Sequence, residues 1–460
     1  HGVNLDRRDL TLGDEGLLLE LRAFGINAID LMVPWESLEP SPRHLSMETL
    51  TFIRWFLTAA SRNGMVVVLD NRQLSGCHCG IPAPIWTFRP ELAAACEDVG
   101  PCFPQWRPFL AGMPPLLRWW ADFFEGMWTP DDITIQDHLI WTWQKVAEVV
   151  HDHPALLGYA AMAKPVCPGI QPWSKVRIAD CQGSLSDFLE RFAFAVNAVD
   201  PDSLIFFDLP SNVLGSSELS IRRPPVPGAV LSVRSTDQMT APCKSPWQRD
   251  RCELYEFLRN AREMAAERFD TLPVLLEHGV RPCRLHAVPG LAHQLMDVED
   301  SMVSSFVSGY RRQSGARPTP EQESLACPTA SLVRPVPRLI AGEPIAWGFD
   351  RTFDLLQGQP DRHHDGAPVT STDAFTLTFR QTDCVGETVV YVPRTLVYGE
   401  DPATEAPEFT VDVSDGQWHW SSDDQNLLVW NANPSVPEHT LVIKTWGGQR
   451  AKGVAPCNAP

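Results

Sequence analysis

The sequence predicts an α/β chain in which residues 1–335 form a (β/α)8 barrel and residues 336–460 form an all-β sandwich. Three observations carry this. Eight short apolar runs recur before residue 310, most of them separated by segments of helical period. Strands buried on both faces read as such continuous runs, and their alternation with helices calls for a parallel sheet. Beyond Arg334-Pro335 the helical period disappears, and short apolar runs sit between turn-rich segments, the texture of a sandwich. Finally, the run at 156–162 breaks at Ala163-Lys164-Pro165, as a buried parallel strand does when it reaches a surface loop.

In chain order, residues 2–5 form the first strand, 14–24 a helix and 28–33 (AIDLMV) the second strand, with Trp35 and Glu39 just past it. Residues 47–62 form a long amphipathic helix leading into MVVVL at 65–69. An insertion rich in Pro, Trp and Cys follows over 70–130; loops this long are functional or tied by disulfides. Asp131 is placed to cap a helix through His151, whose Ile140, Trp143, Val146 and Val150 form a core stripe. The strand at 156–162, a helix at 184–199, and strands at 204–207, 230–233 and 273–276 continue the pattern. A helix over 246–268 precedes the last of these; an eighth strand at 302–306 and a weak helix at 321–332 complete the barrel. The sandwich strands are expected at 345–349, 375–380, 388–392, 409–413, 427–430 and 441–445.

Composition narrows the function. A net charge of −19 argues against nucleic acid, whose phosphates need a basic surface. No apolar run reaches the roughly 18 residues of a transmembrane helix. The chain opens at His1 directly on a strand pattern, which suggests a mature form whose targeting segment has been removed. Twelve cysteines point to the disulfides of a secreted or lumenal protein, with Cys96/Cys102, Cys167/Cys181 and Cys243/Cys252 as candidate pairs. Cys77-His78-Cys79 lacks the second ligand pair of a zinc site, so neither a metal nor another cofactor is expected.

In a barrel of this kind, catalytic groups sit at the C-terminal ends of the strands. Two such ends stand out: Lys164 after the fourth strand, and Glu277 in LLEHG after the seventh. Around them lie colinear segments: GVN at 2–4, INAIDLMVPWESLEP at 26–40, LDNRQ at 69–73, IPAPIW at 81–86, DHLIWTWQKVAEVVHDHPALLGY at 137–159, RPVPRLIAGEPIAWGFD at 334–350 and ETVVYVPR at 387–394. Together they resemble glycoside hydrolase family 5, and within it the endoglycoceramidase-like glycosidases with a TIM barrel and a β-sandwich. The resemblance implies a retaining glycosidase with two carboxylates about 5–5.5 Å apart, one the nucleophile and one the acid/base. Glu277 matches the nucleophile.

The rest of the expected site is substituted. The Asn-Glu-Pro that carries the family's acid/base falls on Ala163-Lys164-Pro165. The family's strand-two Arg falls on Asp30, and its His after strand three falls on Arg72. No His/Tyr end appears in LSVRS at 231–235, and no Trp within 302–310. An ammonium facing a carboxylate is stabilised in its charged form, which opposes proton delivery and occupies Glu277. Glu277 also reads as a buried carboxylate retained for its pairing with Lys164 or Arg72.

The sequence therefore suggests a secreted pseudoglycosidase that binds a glycan, a glycolipid or an extracellular protein partner. Two alternatives stay open: a residual or altered β-glycosidase acting on glycosphingolipids, and a structural subunit of an extracellular assembly. Trp35, Trp86 and Trp106 are candidates to stack on sugar rings, with core packing the competing role of each.

Overall fold

The computed structural model describes residues 1–7, 10–13, 15–72, 83–97, 113–168, 178–210, 220–235, 253–278, 287–308, 333–350, 372–383, 386–393, 409–421 and 426–446. Eight parallel strands close into a barrel in sequence order: β1 Gly2–Asp6, β2 Ala28–Met32, β3 Val66–Asp70, β4 Leu156–Ala160, β5 Leu204–Asp208, β6 Ala229–Arg234, β7 Pro273–His278 and β8 Ser304–Val307. β1 pairs with β8 to seal the ring, Gly2 opposite Phe306. Ala28, Val68, Ala160, Phe206, Leu276 and Phe306 form one buried apolar cluster drawn from six of the strands. Polar and charged residues stand at or near the strand ends: Asp70 closes β3, Asp208 β5 and Arg234 β6.

The described helices are α1 Gly16–Ala23, α2 Trp35–Leu38, α3 Met47–Arg62, α4 Pro90–Glu97, α5 Met113–Phe124, α6 Ile135–Val150, α7 Ile178–Asn197, α8 Glu253–Phe269 and α9 Ala287–Ser301. α3 begins where Ser46 accepts the Thr49 N–H at 3.2 Å, and it buries Leu50, Ile53, Phe56 and Leu57 on one face. The cap of α6 differs from expectation. Thr134, not Asp131, accepts the Asp137 N–H at 3.1 Å. Asp131 lies further out and bonds the ring of His138 at 3.0 Å. α2, α4, α5 and α9 were not expected. α2 is a single turn, α4 and α5 lie inside the insertion, and α9 carries Pro289 in its first turn, where a missing N–H is tolerated.

The remaining strands are β9 Val336–Leu339, β10 Gly342–Asp350, β11 Thr372–Gln381, β12 Thr388–Tyr391, β13 Phe409–Val413, β14 Gln417–Ser421, β15 Leu427–Asn431 and β16 Glu438–Trp446. They form two antiparallel sheets, β10-β11-β16-β13 and β14-β15-β12-β9, enclosing Phe349, Phe375, Leu377, Phe379, Leu428, Trp430, Leu441 and Ile443. β9 and β14 were not expected. Both are edge strands with few buried residues, so neither shows a strong apolar run.

The two halves meet around Arg334. Its guanidinium donates to Glu299 of α9 at 2.6 and 3.0 Å and to the Phe349 carbonyl at 3.0 Å, and Glu299 accepts the Phe349 N–H at 3.0 Å. Nearby, the Tyr391 hydroxyl donates to the carbonyls of Arg22 and Ala23 at 2.9 and 3.1 Å.

Cys167 and Cys181 are bonded, with Cα atoms 5.6 Å apart. Cys96/Cys102, Cys243/Cys252, Cys77-His78-Cys79, Trp106 and the weak helix at 321–332 involve positions outside the described residues. Among the described residues, no three His, Cys, Asp or Glu side chains group as a metal site, and no helix is long and apolar enough to cross a membrane.

Candidate functional site

Glu277 reaches the barrel mouth through an irregularity in β7. Opposite β6 the pairing shifts: Val233 faces Leu275 and Arg234 faces Glu277, leaving Leu276 as an extra residue. A bulge at a barrel rim re-aims the side chain that follows it. Glu277 lies 2.6 Å from the Lys164 ammonium through Oε2, and its Oε1 is bonded by Arg72 Nη2.

Lys164 arrives from just past β4 in the left-handed backbone region, with φ +50°. For a non-glycine residue this costs roughly 1 kcal/mol, and such positions persist when their surroundings fix them. Here the Lys164 N–H donates to Asp208 Oδ2 at 3.0 Å. Ala163, beside it, is buried.

Beneath this pair lies a buried charged layer in which sequence reasoning named Asp30 and Arg72 but not Asn4, Asp208 or Arg234. Arg72 Nη1 is 3.9 Å from Asp30 of β2, and Asn4 of β1 donates both to Asp30 and, at 2.7 Å, to the Leu276 carbonyl. Arg234 bridges Asp208 at 2.6 Å and Asp70 at 2.9 Å, and Ser232 also bonds Asp208. The signal was present: VVVLD, LIFFD and LSVR each end an apolar run on a charged residue at a strand terminus.

The electrostatics follow from these contacts. Burial pushes the Glu277 carboxyl up, but Arg72, Lys164 and Arg234 outweigh it and hold the group below the ordinary carboxylate range. Burial and the neighbouring Asp70 push Asp30 well up, against Arg234, Arg72 and Asn4. Asp70 is likewise raised by burial, against Arg234 and Arg72. His278, next along β7, is lowered to about 4 by burial, so its ring is uncharged near neutral pH.

A second buried cluster stands beyond the end of β2. His138 of α6 lies between Glu39 and Asp131, 3.0 Å from a carboxylate oxygen on each side. Glu39 also accepts from Trp35 Nε1 at 2.9 Å, and its carbonyl accepts from Trp86 Nε1 at 3.1 Å. Trp35 is 1% exposed and packed in the barrel core. Of the two roles considered for Trp35, core packing is the one these contacts support, together with the Glu39 bond. Trp86 is half-buried, edge-on to Trp35 at 5.8 Å and to His138 at 4.8 Å. The structure thus gathers Glu277, Lys164, Arg72 and Asp30 in one connected network, with Ala163 beside it. Trp35 and Trp86 belong to the second cluster.

Residues 334–443 match the glycoside hydrolase family 5 C-terminal domain. Among solved structures, endo-glycoceramidase II from Rhodococcus sp. in complex with ganglioside GM3 superposes with a TM-score of 0.71 at 18% identity, covering 97% of this chain and 96% of that one. An endogalactoceramidase gives 0.64 at 15% identity, covering 96% and 95%. Sterylglucosidase 1 of Cryptococcus neoformans gives 0.67 at 13% identity, covering 95% and 90%. No curated protein matches by sequence. The chain therefore has the endoglycoceramidase fold, a closed parallel barrel followed by antiparallel sheets, with a family 5 C-terminal match.

Proposed function

We propose that this protein is a non-catalytic relative of the endoglycoceramidase-like glycosidases, a barrel at 1–335 and a sandwich at 336–460 that bind a glycan or glycolipid at the barrel mouth. One observation carries the reading: Lys164 pairs with Glu277 at 2.6 Å, at the position where the resemblance calls for a carboxylic acid. A retaining mechanism needs one carboxyl group that holds a proton for the leaving oxygen and one that is free to attack. Glu277 is engaged by two cations, which lowers its basicity and restrains it as a nucleophile. Asp208, the other acid in contact with Lys164, already accepts from Arg234, Ser232 and the Lys164 backbone. The Cys167–Cys181 bond supports an oxidising, secretory location.

The test is hydrolysis of a glycosphingolipid panel and of aryl β-glycosides, run beside the double variant Ala163→Asn/Lys164→Glu. General acid catalysis supplies about 10²–10⁴-fold, so its loss leaves traces on activated aryl glycosides and no detectable release from natural glycolipids. The double variant is expected to gain aryl-glycosidase activity. Turnover of a natural glycolipid by the wild type, abolished in Glu277→Gln, would establish an enzyme and refute the proposal.

A further inference from the structure

We propose that His138 is a pH-sensitive latch on the barrel rim: its imidazolium ties the loop at 126–134 to Glu39, and loss of the ring proton as pH rises releases Asp131 and that loop. The latch belongs to the second buried cluster and does not depend on how the Lys164–Glu277 pair is read. Its logic is one of donors and acceptors. Both ring nitrogens of His138 stand 3.0 Å from a carboxylate oxygen, Nδ1 from Glu39 and Nε2 from Asp131. A neutral imidazole has one N–H and the cation has two, so only the cation satisfies both carboxylates at once. Glu39, after α2, and Asp131, before α6, are the charged groups that face the ring. Arg43 gives Glu39 its backbone N–H at 2.8 Å while its guanidinium lies over the Trp141 ring. Asp137 is paired with Arg191, Asp132 is exposed, and Trp86 on the remaining side is uncharged.

Burial decides which partner lets go. Glu39 is wholly buried and also accepts from Trp35 Nε1 at 2.9 Å and from Thr142 Oγ1 at 2.5 Å, which fix its carboxylate in place. The Asp131 side chain is 31% exposed, so water can replace the ring as its partner. A substitute donor for the ring is already in position. The Thr129 hydroxyl lies 2.5 Å from Asp131 Oδ1, 2.8 Å from the Ile133 carbonyl and 3.2 Å from His138 Nε2. While the ring is charged, that hydroxyl donates to one of the two oxygens; once Nε2 has given its proton to solvent, it can donate to the bare nitrogen. The neutral ring then keeps its Nδ1–H on Glu39 and accepts from Thr129, and the Asp131 carboxylate, left facing a lone pair, turns to water.

The segment so released is built to move. It has left-handed backbone at Gly126, φ +71°, and at Asp132, φ +59°, and it exposes 66% of Trp128. It leads into α6, on the side of the barrel where the strands end, beside Glu39 past β2 and Trp86 past β3. Burial by itself favours the neutral ring, but the bonds to Glu39 and Asp131 outweigh it and raise the His138 pKa above 6.5. The latch is therefore closed below pH 6.5 and opens as pH rises through the folded value.

The experiment pairs NMR of the His138 ring nitrogens with amide hydrogen exchange between about pH 5.5 and pH 9, on the full chain as wild type and Asp131→Ala. At the acid end both ring nitrogens should carry protons, and Nε2 should lose its proton within the range. Over the same interval, protection of the Thr129, Asp132 and Ile135 amides, which are bonded within the loop, should fall at least about tenfold after correction for the intrinsic exchange rate, as loss of one hydrogen bond between charged groups provides. Protection of Leu139, Trp143 and Val146 inside α6 should not change. In Asp131→Ala the loop should be poorly protected at both ends of the range. Should that variant fail to fold, the coincidence of ring titration and loop opening in the wild type carries the test. A ring that stays cationic throughout, or that titrates with no change in the loop, would overturn the proposal. So would an equal loss of protection along α6, which would mark general loosening, or the wild-type pH dependence persisting in Asp131→Ala.

Discussion

Replacing Arg72 with Met should expose how much of the barrel mouth is held together by a single guanidinium. Arg72 is 6% exposed and stands between Glu277, which it bonds through Nη2, and Asp30, 3.9 Å from Nη1. Methionine fills much of the same volume without charge or donors. Removing one partner from a buried ion pair costs about 3–5 kcal/mol, because the remaining charge stays desolvated. Lys164 still reaches Glu277 at 2.6 Å, but it is more than a third exposed and its attraction is screened, so a loss near the lower figure, about 3 kcal/mol at pH 7, is expected.

The pH dependence separates this mechanism from ordinary packing loss. In the wild type Glu277 is depressed below its unfolded value of 4.5, so the stability it contributes is present above that value and is lost as pH falls through the folded pKa. In Arg72→Met much of that depression is gone, and the buried carboxyls take up protons at higher pH. The variant's deficit should therefore shrink between pH 7 and about pH 4. Urea unfolding followed by tryptophan fluorescence at both pH values measures it. An unchanged midpoint at pH 7, or a deficit of equal size at both, would refute the reasoning.

Substitutions at two further places test the second buried cluster and the domain junction. Burial lowers the His138 ring, but bonds to Glu39 and Asp131 outweigh it and raise the pKa above 6.5. Its stabilisation is thus full below pH 6.5 and lost as pH rises through the folded value. His138→Gln should lower the thermal midpoint at pH 6 by the equivalent of about 3–5 kcal/mol and flatten the decline toward pH 9; the wild-type slope persisting in the variant would contradict this. At the junction, Arg334→Met should cost about 3–5 kcal/mol, and adding Glu299→Met should recover part of it by removing the stranded carboxylate. Additive losses in that double-mutant cycle would show the pair to be uncoupled.

The architecture was legible in the sequence because burial on both faces leaves a continuous mark. VVVLD, LIFFD and PVLLE are short apolar runs that need a closed parallel sheet around them, and each became a barrel strand. Edge strands such as Val336–Leu339 and Gln417–Ser421 bury little, so their pattern is faint and they were missed. The α6 cap shows a similar limit. Asp131 and Thr134 both suit an N-cap, and only the position of His138 decides that Asp131 faces the ring while Thr134 takes the backbone N–H.

For the site, the sequence by itself determined the cast: Glu277 at one strand end, Lys164 near another, Arg72 and Asp30 at neighbouring positions. Only the tertiary structure decided the pairing. The register shift in β7 aims Glu277, the left-handed backbone at Lys164 directs its amine, the β1–β2 register sets Asn4 beside Asp30, and the closed barrel brings Asn4 to the Leu276 carbonyl. Arg234 joining Asp70 to Asp208 spans 164 residues in one case and 26 in the other. Separations of that size leave no periodic trace in a sequence. Helices and strands are written locally, as repeats of 3.6 and 2 residues, whereas a charge network belongs to the barrel's closure.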